Sequence, residues 1–191
     1  MRKLFWQIST TLDGFMEGPD RELTDTAEIS DPDFDRYASD MLQSIDDIVL
    51  GRVTYQVFEQ YWPSASGPDA ERLNNLPKLV FSRTLRELNW HNSRLATRGV
   101  AEEIARLKQQ PGRDIALFGS ANLACALAEE GLIDEYRLFV SPVVLGRGHR
   151  TFDDLRDRIG LKLLKAETWS SGIIALFYAS RTTSLPAPSG P

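Results

Sequence analysis

The sequence predicts an α/β fold: a three-layer sandwich around a mostly parallel central sheet, closed by an antiparallel C-terminal hairpin. Three observations lead there. Strand-like and helix-like patterns alternate along most of the 191 residues, and such alternation implies a parallel sheet with helices on its faces. Short apolar runs end at glycine and pass into helical patterns, Asp47-Ile48-Val49-Leu50 at Gly51 and Ile115-Ala116-Leu117-Phe118 at Gly119. Finally, Leu161 to Thr168 and Gly172 to Ser180 are strand-like runs joined at Trp169-Ser170-Ser171-Gly172, a hairpin signal.

The elements follow in order. Lys3 to Ser9 reads as a strand through Leu4, Phe5, Trp6 and Ile8. Thr10 to Asp20 is then a loop, punctuated by Gly14, Gly18 and Pro19. Loops of this length are often functional. Ser30 or Asp31 suits a helix N-cap, with Pro32 in the first turn. Phe34, Tyr37, Ala38, Met41, Leu42 and Ile45 follow at helical spacing. The acids Asp33, Asp35 and Asp40 read as a solvated face that complements the helix dipole. After the strand Asp47 to Leu50, a helical pattern runs from about Thr54 to Tyr61. Trp62 to Pro77, with three prolines and Gly67, reads as an irregular connection with about one helical turn. Lys78 to Phe81 is a strand, and Ser93 to Thr97 a short one. Gly99 to Gln109 is a helix stopped by Pro111-Gly112. Beyond Gly119 come a helix, Leu123 to Gly131, and a strand from Asp134 that runs into the glycine-rich Gly146-Arg147-Gly148.

Size and composition bound the function. One domain, 1–180, is expected, followed by a flexible tail, 181–191, rich in proline. The net charge of −5 argues against nucleic-acid binding as the main function. Cys125 is the only cysteine, in an apolar helical stretch, so it reads as a core residue and permits no intrachain disulfide. No apolar run approaches a membrane span, and the N-terminus lacks a signal-peptide pattern, so a cytoplasmic location is expected. His91 and His149 lie in polar contexts with no pattern for metal binding or nucleophilic catalysis.

The strand ends carry the chemistry. A strand that feeds a helix N-terminus leaves N–H groups unpaired, and with the helix dipole these suit an anion. One such turn is common in proteins without a ligand. Here the feature recurs: Gly119-Ser120-Ala121, Gly51-Arg52-Val53-Thr54, and Ser82-Arg83-Thr84 after the strand Lys78 to Phe81. Hydroxyls, glycines and guanidinium groups are natural phosphate partners. Ligands of open α/β sheets sit outside the carboxyl ends of strands, so three such ends point to a dinucleotide site. The first strand lacks the G-x-G-x-x-G of a Rossmann domain.

Taken in order, Ser9-Thr10-Thr11-Leu12-Asp13-Gly14-Phe15, Gly51-Arg52-Val53-Thr54-Tyr55, Phe81-Ser82-Arg83-Thr84, Phe118-Gly119-Ser120-Ala121, Gly131-Leu132-Ile133-Asp134-Glu135 and Ser141-Pro142-Val143-Val144-Leu145-Gly146-Arg147-Gly148 resemble the dihydrofolate reductase-like superfamily. The branch is that of the C-terminal reductase domain of the bacterial riboflavin-biosynthesis enzyme, and the resemblance covers about residues 2 to 180. It implies NADPH and a small heterocyclic substrate, such as a pterin, a pyrimidine or a nucleotide-like compound, reduced by hydride transfer. Gly51, Arg52 and Thr54 would hold the pyrophosphate and adjoining phosphates, and Ser82 and Arg83 the 2′-phosphate. Gly119, Ser120 and Ala121 would form a second phosphate cradle, where many members carry two glycines. Ser9 would lie near the nicotinamide, with Asp13 and Gly14 in a loop closing over it and Asp13 as the candidate catalytic group. Dihydrofolate reductases use an acid on the first long helix, and none of Asp33, Asp35 and Asp40 aligns to it. A non-catalytic ligand-binding module on the same fold is the alternative. The apolar run Ile173 to Phe177, with the resemblance, implies a homodimer.

Overall fold

A computed structural model describes residues 1–20 and 31–181. Eight strands form the central sheet in the order β5-β4-β3-β6-β1-β7-β10-β9. The strands are β1 (Leu4–Thr11), β3 (Ile45–Gly51), β4 (Lys78–Phe81), β5 (Ser93–Leu95), β6 (Asp114–Phe118), β7 (Glu135–Ser141), β9 (Leu161–Thr168) and β10 (Ile174–Ser180). The first six run parallel, and β10 and β9 are antiparallel at one edge, as expected. β1 lies inside the sheet, with Leu4 opposite Ile115 on one side and Phe5 opposite Glu135 on the other. The helices are α1 (Pro32–Ser44), α2 (Arg52–Tyr61), α3 (Pro68–Asn75), α4 (Val100–Gln109) and α5 (Ala121–Glu129).

Side-chain alternation sorts the two cores. Leu4, Trp6 and Ile8 point to the face covered by Ile104 and Leu107 of α4 and by Ala124 and Leu127 of α5. Phe5 and Ala116 point to the opposite face, under Met41 and Leu42 of α1, Tyr55 of α2 and Leu73 of α3. A strand with both faces covered must be apolar on both, so β1 and β6 read as nearly continuous hydrophobic runs. Asp31 caps α1, accepting from the N–H of Asp33 at 2.8 Å, and Pro32 occupies the first turn. The other cap candidate, Ser30, lies outside the described residues, as does the expected tail beyond Arg181.

Two expectations need correction. The segment 62–77 is not mostly irregular: it forms a 3₁₀ turn, Trp62–Ser64, and the two-turn helix α3. Gly67 and Pro68 mark that helix's start instead of breaking it. Asp69 and Glu71 stand in its first turn, while Ala70 and Leu73 are buried. The loop 10–20 contains a strand, β2 (Phe15–Glu17), paired with β8 (His149–Arg150). Its partner lies more than 130 residues away in sequence, so local pattern could not reveal it.

The consecutive run Ile173 to Phe177 divides between faces. Ile173, Ala175 and Phe177 pack with Phe139 and Trp169 against Phe34 and Tyr37 of α1. Ile174 points the other way and is 40% exposed. The edge strand β9 leaves Leu163 and Leu164 about half exposed, with a register shift against β10 at Phe177/Tyr178. No described helix is long and apolar enough to cross a membrane.

Candidate functional site

The site begins where neighbouring strands send their chains to opposite faces. β3 passes into α2 and β6 into α5, and β3 and β6 are adjacent. Tyr55 of α2 belongs to one core and Ala124 of α5 to the other. That divergence opens a crevice at the carboxyl ends of the strands, the general ligand position in such sheets.

Gly51, Thr54, Gly119 and Ser120 meet there. The Gly51 N–H donates to Ser120 Oγ at 2.8 Å. Ser120 Oγ donates to Thr54 Oγ1 at 3.0 Å, and the Ser120 N–H reaches the same oxygen at 3.1 Å. Gly119 and Ser120 both adopt left-handed backbone, φ 52 and 55. A Cβ on Gly119 would stand 2.9 Å from Thr54 Oγ1, and one on Gly51 would stand 3.1 Å from Ser120 Oγ. Glycine is thus required by close approach at one turn and favoured at the other. The Trp6 indole N–H fixes the same turn from below, donating to the Gly119 carbonyl at 2.6 Å.

The neighbouring groups suit an anion. Neither Gly51 nor Ser120 gives a side-chain cap to its helix. The first-turn N–H groups of α2 and α5 therefore face the crevice uncapped, backed by two helix dipoles. Arg52 is exposed and donates to Gln56 Oε1 at 3.0 Å. At the end of β4, Ser82 Oγ accepts from the N–H groups of Thr84 and Leu85 at 3.1 and 2.9 Å. Its hydroxyl proton stays available to a ligand. Arg83 beside it is exposed. Ala121, the first residue of α5, is buried. Ser9 is half-buried near the end of β1, and by alternation shares the face of Gln7, whose side-chain oxygen accepts from the Tyr37 hydroxyl at 2.8 Å.

Asp13 has a mechanical role. Its Oδ1 accepts from the Thr11 hydroxyl at 2.7 Å and the Leu145 N–H at 3.0 Å, and its Oδ2 from the Gly146 N–H at 2.7 Å. The Thr11 hydroxyl and the loop N–H groups hold this carboxyl down at about 2. It carries no proton at neutral pH and joins the loop after β1 to the loop after β7. The Thr151 N–H donates to the Gly14 carbonyl at 3.0 Å and the Leu12 N–H to Val143 at 2.8 Å, strengthening the same junction.

Sequence reasoning missed the floor of the α1 side. Asp31, 2% exposed, binds the Ser171 hydroxyl as well as capping α1. Burial raises its pKa, but the Ser171 hydroxyl and the N–H groups of Asp33 and Phe34 outweigh that and hold it below the usual carboxylate range. Ser141 Oγ, at the end of β7, is buried without a partner among the described residues. Trp169 stacks on Phe139 at 5.1 Å, and Phe34 and Tyr37 pack edgewise around them. The Asp31-Pro32 cap was legible, but its partner Ser171 is 140 residues away. Among the described residues no group of three His, Cys, Asp or Glu is placed to hold a metal.

Comparison with known proteins follows the same lines. The family model of the RibD C-terminal domain matches residues 2–175. The uncharacterized protein YyaP of Bacillus subtilis (strain 168) is 37% identical over 182 residues, covering 93% of this chain and 94% of its own. Among solved structures, a Shewanella sp. PV-4 protein provisionally named for riboflavin biosynthesis superposes with TM-score 0.78 at 20% identity, over 94% of this chain and 99% of its own. A pyrimidine reductase-like protein of Corynebacterium diphtheriae superposes with TM-score 0.69 at 13% identity, over 95% and 93%.

Proposed function

Since the chain belongs to the RibD C-terminal domain family, we propose that it is an NADPH-dependent reductase of a small heterocycle: a pterin, a pyrimidine or a nucleotide-like compound. The observation that carries this reading is the meeting of two uncapped helix N-termini around Gly51, Thr54, Gly119 and Ser120. The close approaches at Gly51 and Gly119 let the two turns pack against each other's side chains, which brings both helix N-termini together for one diphosphate. When bound, NADPH supplies the hydride.

The protein's own residues bind and orient. Gly51, Arg52 and Thr54 hold the pyrophosphate side, and the N–H groups beginning at Ala121 form the second cradle beside Gly119 and Ser120. Ser82 and Arg83 take the 2′-phosphate, for which a planar, permanently charged guanidinium is suited. Ser9 borders the nicotinamide. Asp13 and Gly14 shape the wall that excludes water, with Asp13 acting as the clasp. We also assign the protein to the cytoplasm as a homodimer, with the exposed side of Ile174 and the β9 edge meeting a second copy. A purely monomeric mass by light scattering at micromolar concentration would remove the dimer.

A second reading, a binding module without turnover, draws on one observation: Asp13 and Asp31 are both held ionised, so neither offers a proton. The test separates the two. Fluorescence titration should show saturable NADPH binding, and pterin or pyrimidine acceptors should then drive absorbance loss at 340 nm, the wavelength of the reduced nicotinamide. Binding without oxidation selects the module, and no binding removes both readings.

A further inference from the structure

Behind the sheet, on the face opposite α1, lies a cavity of about 210 Å³. Trp6, Cys125, Ala128, Tyr136, Phe152 and Ile159 are among its walls, and no charged side chain lines it. Trp6, Cys125 and Tyr136 are almost wholly buried, while Phe152 is 39% exposed and stands at the outer side. The Trp6 ring meets Phe152 edgewise at 5.3 Å and Tyr136 at 6.1 Å. The cavity belongs to a different face from the crevice described above, and nothing in the proposed reduction uses it.

Two features separate it from a packing gap. An empty apolar cavity of about 150 Å³ already admits benzene, so this volume takes one ring and a small substituent. Tyr136 is 2% exposed and lines the cavity, and its hydroxyl pairs with none of the described residues. That hydroxyl borders the cavity, and a bound acceptor atom would give it the partner it lacks. Burial pushes the Tyr136 phenol up to about 12 and raises the Cys125 thiol, so both stay neutral and present no charge to a ligand.

The walls also reach the crevice. Trp6 lines this cavity with its ring and holds the Gly119 carbonyl with its N–H at 2.6 Å. We propose that this cavity is a second ligand site, for a small neutral single-ring aromatic with one hydrogen-bond acceptor, and that Trp6 links its occupancy to the Gly119-Ser120 turn. The acceptor atom accepts a hydrogen bond from the Tyr136 hydroxyl, and the ring fills the space beside Trp6 and Ala128. Movement of the indole then shifts the Gly119 carbonyl, and with it the cradle.

Acetophenone is the probe: one ring, one carbonyl, no charge. It is titrated into the full chain without cofactor while the Trp6 indole N–H is followed by ¹⁵N NMR. A saturable shift with half-saturation near or below about 1 mM is expected, accompanied by the Gly119 and Ser120 amides. Tyr136→Phe should weaken acetophenone about five-fold and leave toluene unchanged. Ala128→Leu should abolish both. If that variant does not fold, Ile159→Phe fills the cavity from the opposite wall. A shift that stays linear to about 10 mM, or unimpaired binding to a folded cavity-filled variant, overturns the site. Equal weakening of acetophenone and toluene by Tyr136→Phe overturns the role of the hydroxyl.

The link to the cradle rests on the NADPH reading, whereas the site itself does not. Acetophenone and NADPH should change each other's affinity by the same factor, as thermodynamic reciprocity requires. If both bind without mutual effect, the coupling through Trp6 is refuted. Acetophenone binding without NADPH binding keeps the cavity and removes the cofactor. The converse result removes the cavity alone.

Discussion

Gly119→Ala tests the knot between β3 and β6 directly. The new methyl would stand 2.9 Å from Thr54 Oγ1 on a backbone of φ 52. Left-handed backbone costs a residue with a Cβ roughly 1–2 kcal/mol. Thr54 cannot swing away freely, since its oxygen holds both the N–H and the hydroxyl of Ser120. Losing one or both of those bonds adds about 0.5–1.5 kcal/mol each. The single variant should therefore lose about 2–4 kcal/mol. Thr54→Ala alone forfeits the two bonds, about 1–3 kcal/mol. In the double variant the methyl no longer meets an oxygen, and the bonds are already gone. Its cost should fall at least about 1 kcal/mol short of the sum. Urea unfolding of all four proteins, with m-values checked for constancy, measures this coupling. Strict additivity within about 0.5 kcal/mol would refute the close approach at Gly119.

Three further outcomes follow from the structure. Arg83→Ala should weaken NADPH by about 1.5–3 kcal/mol and spare NADH, because only the former carries the 2′-phosphate; equal loss in parallel titrations would take Arg83 out of that role. Lys78 is buried, with Nζ donating to the carbonyls of Asn74, Leu76 and His91 and lying over Trp90, and burial lowers its pKa to about 8. The unfolded chain then binds the extra proton above pH 8, so stability should rise between pH 7.5 and 9.5, and Lys78→Met should flatten that slope in urea melts. Asp13, depressed from 3.8 to about 2, contributes stability above pH 4 that is lost as the pH falls towards 2. Asp13→Asn should remove this dependence and speed amide exchange in both 12–17 and 143–151; faster exchange in the first loop alone would contradict the clasp.

Local rules reached most of the fold. Continuous apolar strands, the Asp31-Pro32 helix start and the turn at Gly172 are short-range signals that tertiary structure did not override. The expectation for 62–77 failed because proline and glycine were counted as breakers when they stood at a helix's N-terminal boundary. β2 was invisible because β8 alone defines it. Within the site, the three strand ends were legible as separate signals. Their interlocking was not, since Ser120 meets Gly51 and Thr54 across more than 60 residues. Asp13 shows the same limit: a carboxylate beside Gly14 suits a turn or a reaction equally, and the N–H groups of Leu145 and Gly146 give it a structural task.

The interior position of β1 sets a timetable for synthesis. Its residues leave the ribosome well before those of its two neighbours, β6 and β7, which begin at Asp114 and Glu135. At about 5–20 residues per second, Leu4, Phe5 and Trp6 wait on the order of ten seconds before either partner exists. Until then this apolar strand has nothing native to pair with. The nascent chain should therefore engage holding chaperones through residues 4 to 8. A circular permutant that begins near Asp114 would place β6, β7 and the hairpin ahead of β1, and should accumulate less aggregate at high expression.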